Sequence, residues 1–146
     1  MEKKKDAICI EVGCAIIERK GEILIARRKP GGHLGGYWEF PGGKKEELES
    51  IEECLIREVE EELGILIRPR RFLRNVIHSY PSKKLSLHFY LCAWLSGVPV
   101  KKDCSDFRWV KPEGLLSFLF PPADRDMIQE LIRKKKFYFE NPAIHY

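Results

Sequence analysis

The stretch Gly43-Lys-Lys-Glu-Glu-Leu-Glu-Ser-Ile-Glu-Glu-Cys-Leu-Ile-Arg-Glu-Val-Glu-Glu-Glu-Leu-Gly-Ile65 decides how the rest of the chain is read. Ile51, Leu55, Val59 and Leu63 recur every fourth residue, which is the period of one helix face. The helix is therefore expected from Ser50 onward, with Leu48 just ahead of it and Gly64 placed to stop it. At about 100° per residue, Glu58, Glu61 and Glu62 fall within one arc beside that apolar stripe.

Like charges held together repel, and burial adds a desolvation cost, so such an arc calls for a neutralising cation. Oxygen-only ligands suit a hard divalent ion, Mg²⁺ or Mn²⁺. The plain alternative is a solvated acidic helix face. Arg57, four residues before Glu61, is placed to orient a carboxylate.

Gly43, five residues, Glu49, seven residues, then Arg57-Glu58-Val59-Glu60-Glu61-Glu62-Leu63-Gly64-Ile65 resembles the signature of the Nudix hydrolases, G-x5-E-x7-R-E-U-x-E-E-x-G-U with U aliphatic. Every fixed position of that signature is matched. The resemblance implies an α/β class fold, a Nudix-type α/β/α sandwich with a mixed β-sheet, in which the signature forms a loop, helix, loop unit.

Composition sets the bounds. The 146 residues are expected to form a single domain, 1–146, with the signature at 43–65, a C-terminal helix at about 122–136 and a tail at 137–146. The chain is 44% hydrophobic and 33% charged, which suits a globular protein. No apolar run approaches the ~20 residues that cross a bilayer, and the basic start lacks a signal-peptide core, so a cytoplasmic location and no membrane partner are expected. Cys9, Cys14, Cys54, Cys92 and Cys104 are scattered and contain no CxxC, which indicates neither a disulfide framework nor zinc. The net charge of +4 is mild and its basic clusters are short. Long nucleic acid is not required, while a polyanionic nucleotide would be drawn in.

Along the chain, Ile8 to Glu18 and Glu22 to Arg28 read as a hairpin around Lys20-Gly21. Lys29 to Gly36 is a glycine-rich surface loop, and Tyr37 to Phe40 is a short strand broken by Pro41-Gly42-Gly43. After the helix come strands at about Ile65 to Tyr80 and Lys84 to Leu95, a loop from Ser96 to Cys104, and a short strand at Phe107 to Val110. Pro112 to Phe118 reads as a helical turn and Pro122 to Lys136 as the closing helix. Hairpin-paired strands with one inserted helix and one terminal helix imply a mixed sheet covered on both faces.

Carboxylates that hold Mg²⁺ are expected to meet phosphate oxygens, because the ion bridges one or two carboxylates to a substrate phosphate chain. Family resemblance assigns Glu58, Glu61 and Glu62 to the metal, adds the Gly42 carbonyl as a ligand, gives Arg57 the task of holding a glutamate, and places Glu49 in support. Mg²⁺ is the implied cofactor, with Mn²⁺ able to substitute. Asp103, six residues before Trp109, is nominated as the base that activates water or as a further ligand. Asp106 is its local competitor, and a turn role for Asp103 in Lys-Asp-Cys-Ser is the plain alternative.

Three further segments resemble the MutT-type branch, the 8-oxo-dGTP diphosphatases and their relatives that hydrolyse pyrimidine triphosphates. They are Tyr37-Trp-Glu-Phe-Pro-Gly-Gly-Lys44, Ile25-Ala-Arg-Arg28 followed by His33, and Phe120-Pro-Pro-Ala-Asp124. By that resemblance Phe40 and Tyr80 flank the base, Arg28 and His33 lie by the base, sugar or phosphates, and Glu39 lines the pocket wall. Core filling for Phe40, a strand-end cation for Arg28 and an uninvolved loop position for His33 are the alternatives. Asp124 stands where the branch carries Asn. An ionised Asp only accepts, which suits an exocyclic amine such as cytosine N4, whereas a protonated one regains a donor for the O6 of 8-oxoguanine. A helix-cap role is its alternative.

These readings converge on a Mg²⁺-dependent nucleoside triphosphate pyrophosphohydrolase that yields NMP and pyrophosphate, acting as a monomer or homodimer. A CTP or dCTP enzyme, or a Nudix hydrolase of another nucleoside diphosphate derivative, is the alternative. A non-catalytic reader of oxidised bases would be expected to lose signature acids, and none is missing here.

Overall fold

The computed structural model describes residues 8–139. Its helix α1 (Ile51–Leu63) begins where the sequence places it, because Ser50 and Glu53 form a capping box. The Ser50 hydroxyl accepts from the Glu53 N–H at 3.1 Å, and the Glu53 carboxylate accepts from the Ser50 N–H at 2.8 Å. Gly64 ends the helix in the left-handed conformation, φ 70°, donating its N–H to the Glu60 carbonyl at 2.9 Å.

Seven strands form one mixed sheet: β1 (Ile8–Arg19), β2 (Glu22–Arg27), β3 (Trp38–Glu39), β4 (Gly42–Lys44), β5 (Leu66–Ser79), β6 (Lys83–Ser96) and β7 (Asp106–Val110). The order is β3-β2-β1-β6-β5, with β4 on β1 and β7 on β2. The expected β1–β2 hairpin exists, yet it pairs only at Glu18↔Ile23 and Arg19↔Glu22. Most of β1 instead runs parallel to β6, from Ile8↔Lys83 to Glu18↔Ala93. Its free edge near Val12–Cys14 is taken by β4, a strand the sequence reading broke at Pro41-Gly42-Gly43. Pro41 has no N–H but still offers its carbonyl, which accepts from the Ala15 N–H at 2.7 Å, so pairing crosses the proline.

Strand alternation divides the core between the two faces of the sheet. Cys14, Ile16, Ile23 and Ile25 join Phe89, Met127, Ile128 and Leu131 in one cluster. Their neighbours Ala15, Ile17, Leu24 and Ala26 join Leu55, Val59 and Leu63 of α1 in the other. Helices therefore cover both faces, as the α/β/α expectation required. Leu55, Val59 and Leu63 are fully buried, each contributing roughly 1.5–3 kcal/mol of hydrophobic stabilisation.

The closing helix differs from its expected span of 122–136. Pro122–Asp124 is a 3₁₀ turn, α2 covers Arg125–Arg133, and a separate short α3 covers Lys135–Phe139. The break falls at Lys134, whose φ of −108° and ψ of 24° leave the helical region. Beyond it Tyr138 is buried, donating its hydroxyl to Glu130 at 2.6 Å. The tail expected at 137–146 thus begins as helix, and its remainder, 140–146, lies outside the described residues. No helix among the described residues is long and apolar enough to cross a membrane.

Candidate active site

The loop between β4 and α1 and the helix that follows are tied together by Arg57. Its guanidinium grips Glu49 with two bonds, Nη2 to Oε1 at 2.7 Å and Nε to Oε2 at 3.1 Å. Nη1 also donates to Glu58 at 2.8 Å and to Glu61 at 3.4 Å, and Nη2 to the Lys44 carbonyl at 3.1 Å. The planar fork of arginine suits this bidentate geometry, which lysine lacks. Arg57, with the Glu46 N–H, holds the Glu49 carboxyl down at about 2. The sequence paired Arg57 with Glu61; its tighter contacts are with Glu49 and Glu58.

Glycines bring the β4 backbone up to the helix. Gly42 has φ 152°, and a Cβ there would overlap the Gly13 carbonyl oxygen. A Cβ on Gly43 would sit 2.5 Å from the Glu58 carboxylate. At Gly42, where fixed backbone stands in the way, only glycine admits this approach.

The glycine turn and α1 form one end of a cleft of about 570 Å³. Gly42, Glu58, Glu62, Asp103, Arg28, His33, Glu39, Phe40, Tyr80 and Asp124 all line it. Arg57 and Glu61 do not line it: Arg57 works from behind Glu58, and Glu61 is solvent-exposed. The arc drawn from sequence therefore splits, with Glu58 and Glu62 inward and Glu61 outward.

At the other end the walls are aromatic and apolar. Phe40 packs on Phe120 and Phe89, with ring centroids 5.1 and 6.0 Å away, so it serves the core and the cleft wall together. His33 meets the Tyr80 ring edge-on at 5.5 Å, which sets aside its reading as an uninvolved loop residue. Arg28 pairs with Glu39 at 3.0 Å rather than standing free at a strand end. Asp124 occupies the N-cap position of α2 without a side-chain cap bond, and the 7% exposed residue also lines the cleft. Burial lifts its carboxyl to about 7, with repulsion from Glu39 adding to the shift. The Cys14 thiol beside it is pushed up by burial and by Asp124 and Glu39.

The NUDIX domain family matches residues 12–130. The chain belongs to the Nudix hydrolase family. It is 39% identical to an 8-oxo-dGTP diphosphatase of Proteus vulgaris over 103 residues, 70% of this chain and 89% of that protein. It is 34% identical to a CTP pyrophosphohydrolase of Escherichia coli strain K12 over 120 residues, 82% of this chain and 89% of that protein. The crystal structure of the MutT protein from Methanosarcina mazei Go1 superposes with a TM-score of 0.79 at 28% identity, covering 91% of this chain and 99% of that one.

Nudix hydrolases generally require a divalent metal ion, and the carboxylates of this Nudix chain fit one. Glu62 is 7% exposed, and its Oε1 has no hydrogen-bond partner among the described residues. Burial raises its carboxyl well above the ordinary range, with Glu39, Glu58 and Asp103 adding repulsion and the Gly42 backbone opposing. Burial likewise raises Glu58 against the pull of Arg57, and raises Glu39 against the pull of Arg28. An orphaned acceptor among mutually repelling carboxylates is what a cation relieves. Among the described residues no three acidic, histidine or cysteine side chains stand close enough to enclose an ion by themselves. The donor set leaves room for oxygens from a substrate.

Asp103 lines the cleft, and its N–H donates to the Glu62 carbonyl at 3.0 Å. Asp106 is engaged elsewhere, bonding the Phe107 N–H at 2.8 Å and pairing with Arg108 at 3.0 Å. Sequence reasoning missed Lys29, Lys83 and Cys14, which also line the cleft. Lys29 adjoins the glycine loop, and that adjacency was the available signal; Cys14 and Lys83 reach the cleft only through sheet register.

Proposed function

We propose that this chain is a Mg²⁺-dependent nucleoside triphosphate pyrophosphohydrolase that releases NMP and pyrophosphate and so sanitises the nucleotide pool from a single Nudix domain. The observation that carries the reading is one cleft joining a buried Glu62, one of whose oxygens has no hydrogen-bond partner among the described residues, to an aromatic pocket lined by a buried Asp124. A divalent ion there would neutralise phosphate charge and lower the pKa of a bound water. Glu58, Glu62 and the Gly42 carbonyl are the ligands of this reading, and Glu61 would join them only after turning inward. Arg57 holds Glu58 and Glu49 in place. Asp103 accepts the proton of the attacking water.

The base lies between Phe40 and Tyr80, near His33 and the Arg28–Glu39 pair, and Asp124 reads its edge. With its carboxyl at about 7, Asp124 is near half-protonation at neutral pH. Protonated, it donates to the O6 of 8-oxoguanine while its carbonyl accepts from N7–H; ionised, it accepts from cytosine N4. The protonated state supports 8-oxo-dGTP, and the ionised state supports CTP or dCTP as the second reading. A nucleotide panel with coupled pyrophosphatase and phosphate detection tests both. Absence of turnover for every nucleotide, with Mg²⁺ and with Mn²⁺, would refute the proposal.

A further inference from the structure

Lys29 faces Asp103 across the mouth of the cleft, its Nζ 3.1 Å from Oδ1, and both residues line the cleft. The backbone around Asp103 is anchored on two sides. Its own N–H bonds the Glu62 carbonyl, and the Ser105 N–H bonds the Arg27 carbonyl at 2.9 Å. The Ser105 hydroxyl adds contacts of 3.3 and 3.4 Å to the Arg27 and Arg28 carbonyls. With the backbone so held, Lys29 is the ion-pair partner of the Asp103 side chain among the described residues.

The two side chains are 57% and 72% exposed, so water screens the pair and little energy opposes its exchange. Lys29 also opens the run Pro30-Gly31-Gly32, whose glycines take φ +84° and +70°. An ammonium on such a loop favours a polyphosphate over a single carboxylate, because the polyphosphate carries more charge.

We propose that Lys29 is a phosphate-binding residue that holds Asp103 in the free cleft and passes to the substrate's polyphosphate when it enters, releasing the Asp103 carboxylate for the reaction. The inference rests on the pyrophosphohydrolase reading above. It predicts opposite effects on two measurements, which general damage to the loop does not. In steady-state assays Lys29→Ala raises KM for the nucleoside triphosphate about five- to tenfold, with a smaller change in kcat. In Mn²⁺ titrations of the free protein followed by electron paramagnetic resonance, the same variant binds Mn²⁺ several-fold more tightly. That gain shrinks or disappears in an Asp103→Asn background, and Lys29→Arg restores native behaviour in both measurements.

Three results would overturn the inference: an unchanged KM, Mn²⁺ binding and turnover weakened together, or an equal Mn²⁺ gain with and without Asp103. If the native chain turns over no nucleotide, the functional reading falls, and the Mn²⁺ titrations still decide whether Lys29 and Asp103 are coupled.

Discussion

The two ends of the cleft are held by opposite means. At the glycine end, charge is met by charge: Arg57 binds Glu49, Glu58 and Glu61, and the capping box locks the start of the helix beside them. At the aromatic end, Asp124 lines the cleft with Phe40, Cys14 and Ala123, and it has no ion-pair partner among the described residues. The first end is rigid and suits a fixed charge pattern such as a phosphate chain. The second leaves one carboxyl near the midpoint of its titration, which suits discrimination between bases. Glu62 shares a feature with each, being wired into α1 yet unsatisfied, and it marks where the two designs meet.

Glu62→Gln probes that junction most severely. It should lower kcat/KM on the order of 10³-fold, because a neutral amide no longer supports a cation against phosphate charge. The melting temperature of the metal-free protein should hold or rise, since Gln has no charge to bury. A thermal melt beside the activity assay checks both, and a large loss of stability would show that Glu62 serves the fold instead.

Arg57→Ala tests the rigid end at one remove. A loss of about 10–100-fold in kcat/KM is expected, as for other residues that orient metal ligands. Arg57→Lys should recover only part of it, because lysine keeps the charge and loses the fork. Full recovery by lysine would mean that charge, and not geometry, governs this end.

Asp124→Asn sharpens the other side of the comparison. In the native chain the ratio of kcat/KM for 8-oxo-dGTP over CTP should rise about a hundredfold between about pH 8 and about pH 6, because it follows the ratio of protonated to ionised carboxyl. The variant should show a flat ratio. Stability gives an independent check. The carboxyl is raised from 3.8 to about 7 on folding, so its contribution is fully present below 3.8 and is lost as pH rises toward about 7. Denaturant titrations should show a steeper slope in the native chain than in Asp124→Asn, where the raised Glu39, Glu58 and Glu62 carboxyls leave the remainder.

The smallest effect is expected at Leu48, in the loop that leads into α1. It is 98% exposed with φ 73°, a left-handed conformation that β-carbons resist. Leu48→Gly should stabilise the fold by about 0.5–1 kcal/mol, measurable by chemical denaturation, without changing turnover.

Local pattern was enough to place much of this molecule. Helix α1 was legible because its stripe, its serine cap and its terminal glycine all act within one stretch of chain, where neighbours in sequence are neighbours in space. The α/β/α layering followed from strand and helix periods together with the Nudix signature. Harder to read was the sheet order. The parallel β1–β6 pairing joins segments 75 residues apart, and no local signal announces such a contact. The split of the closing helix at Lys134 was likewise hard to read, and it accompanies a contact across the break, the Tyr138 hydroxyl on Glu130.

The same division runs through the site. Sequence alone determined which residue types gather around the cleft, because the signature specifies an arginine and its acids by spacing. Only the tertiary structure decided which of those acids look inward, turning Glu58 and Glu62 to the cleft and Glu61 to solvent. It also decided that Asp124, at the start of α2, is buried against the cleft, and that Lys29 stands against Asp103. Spacing fixes angles around a helix, while burial and charge pairing depend on distant segments that only the folded chain brings together.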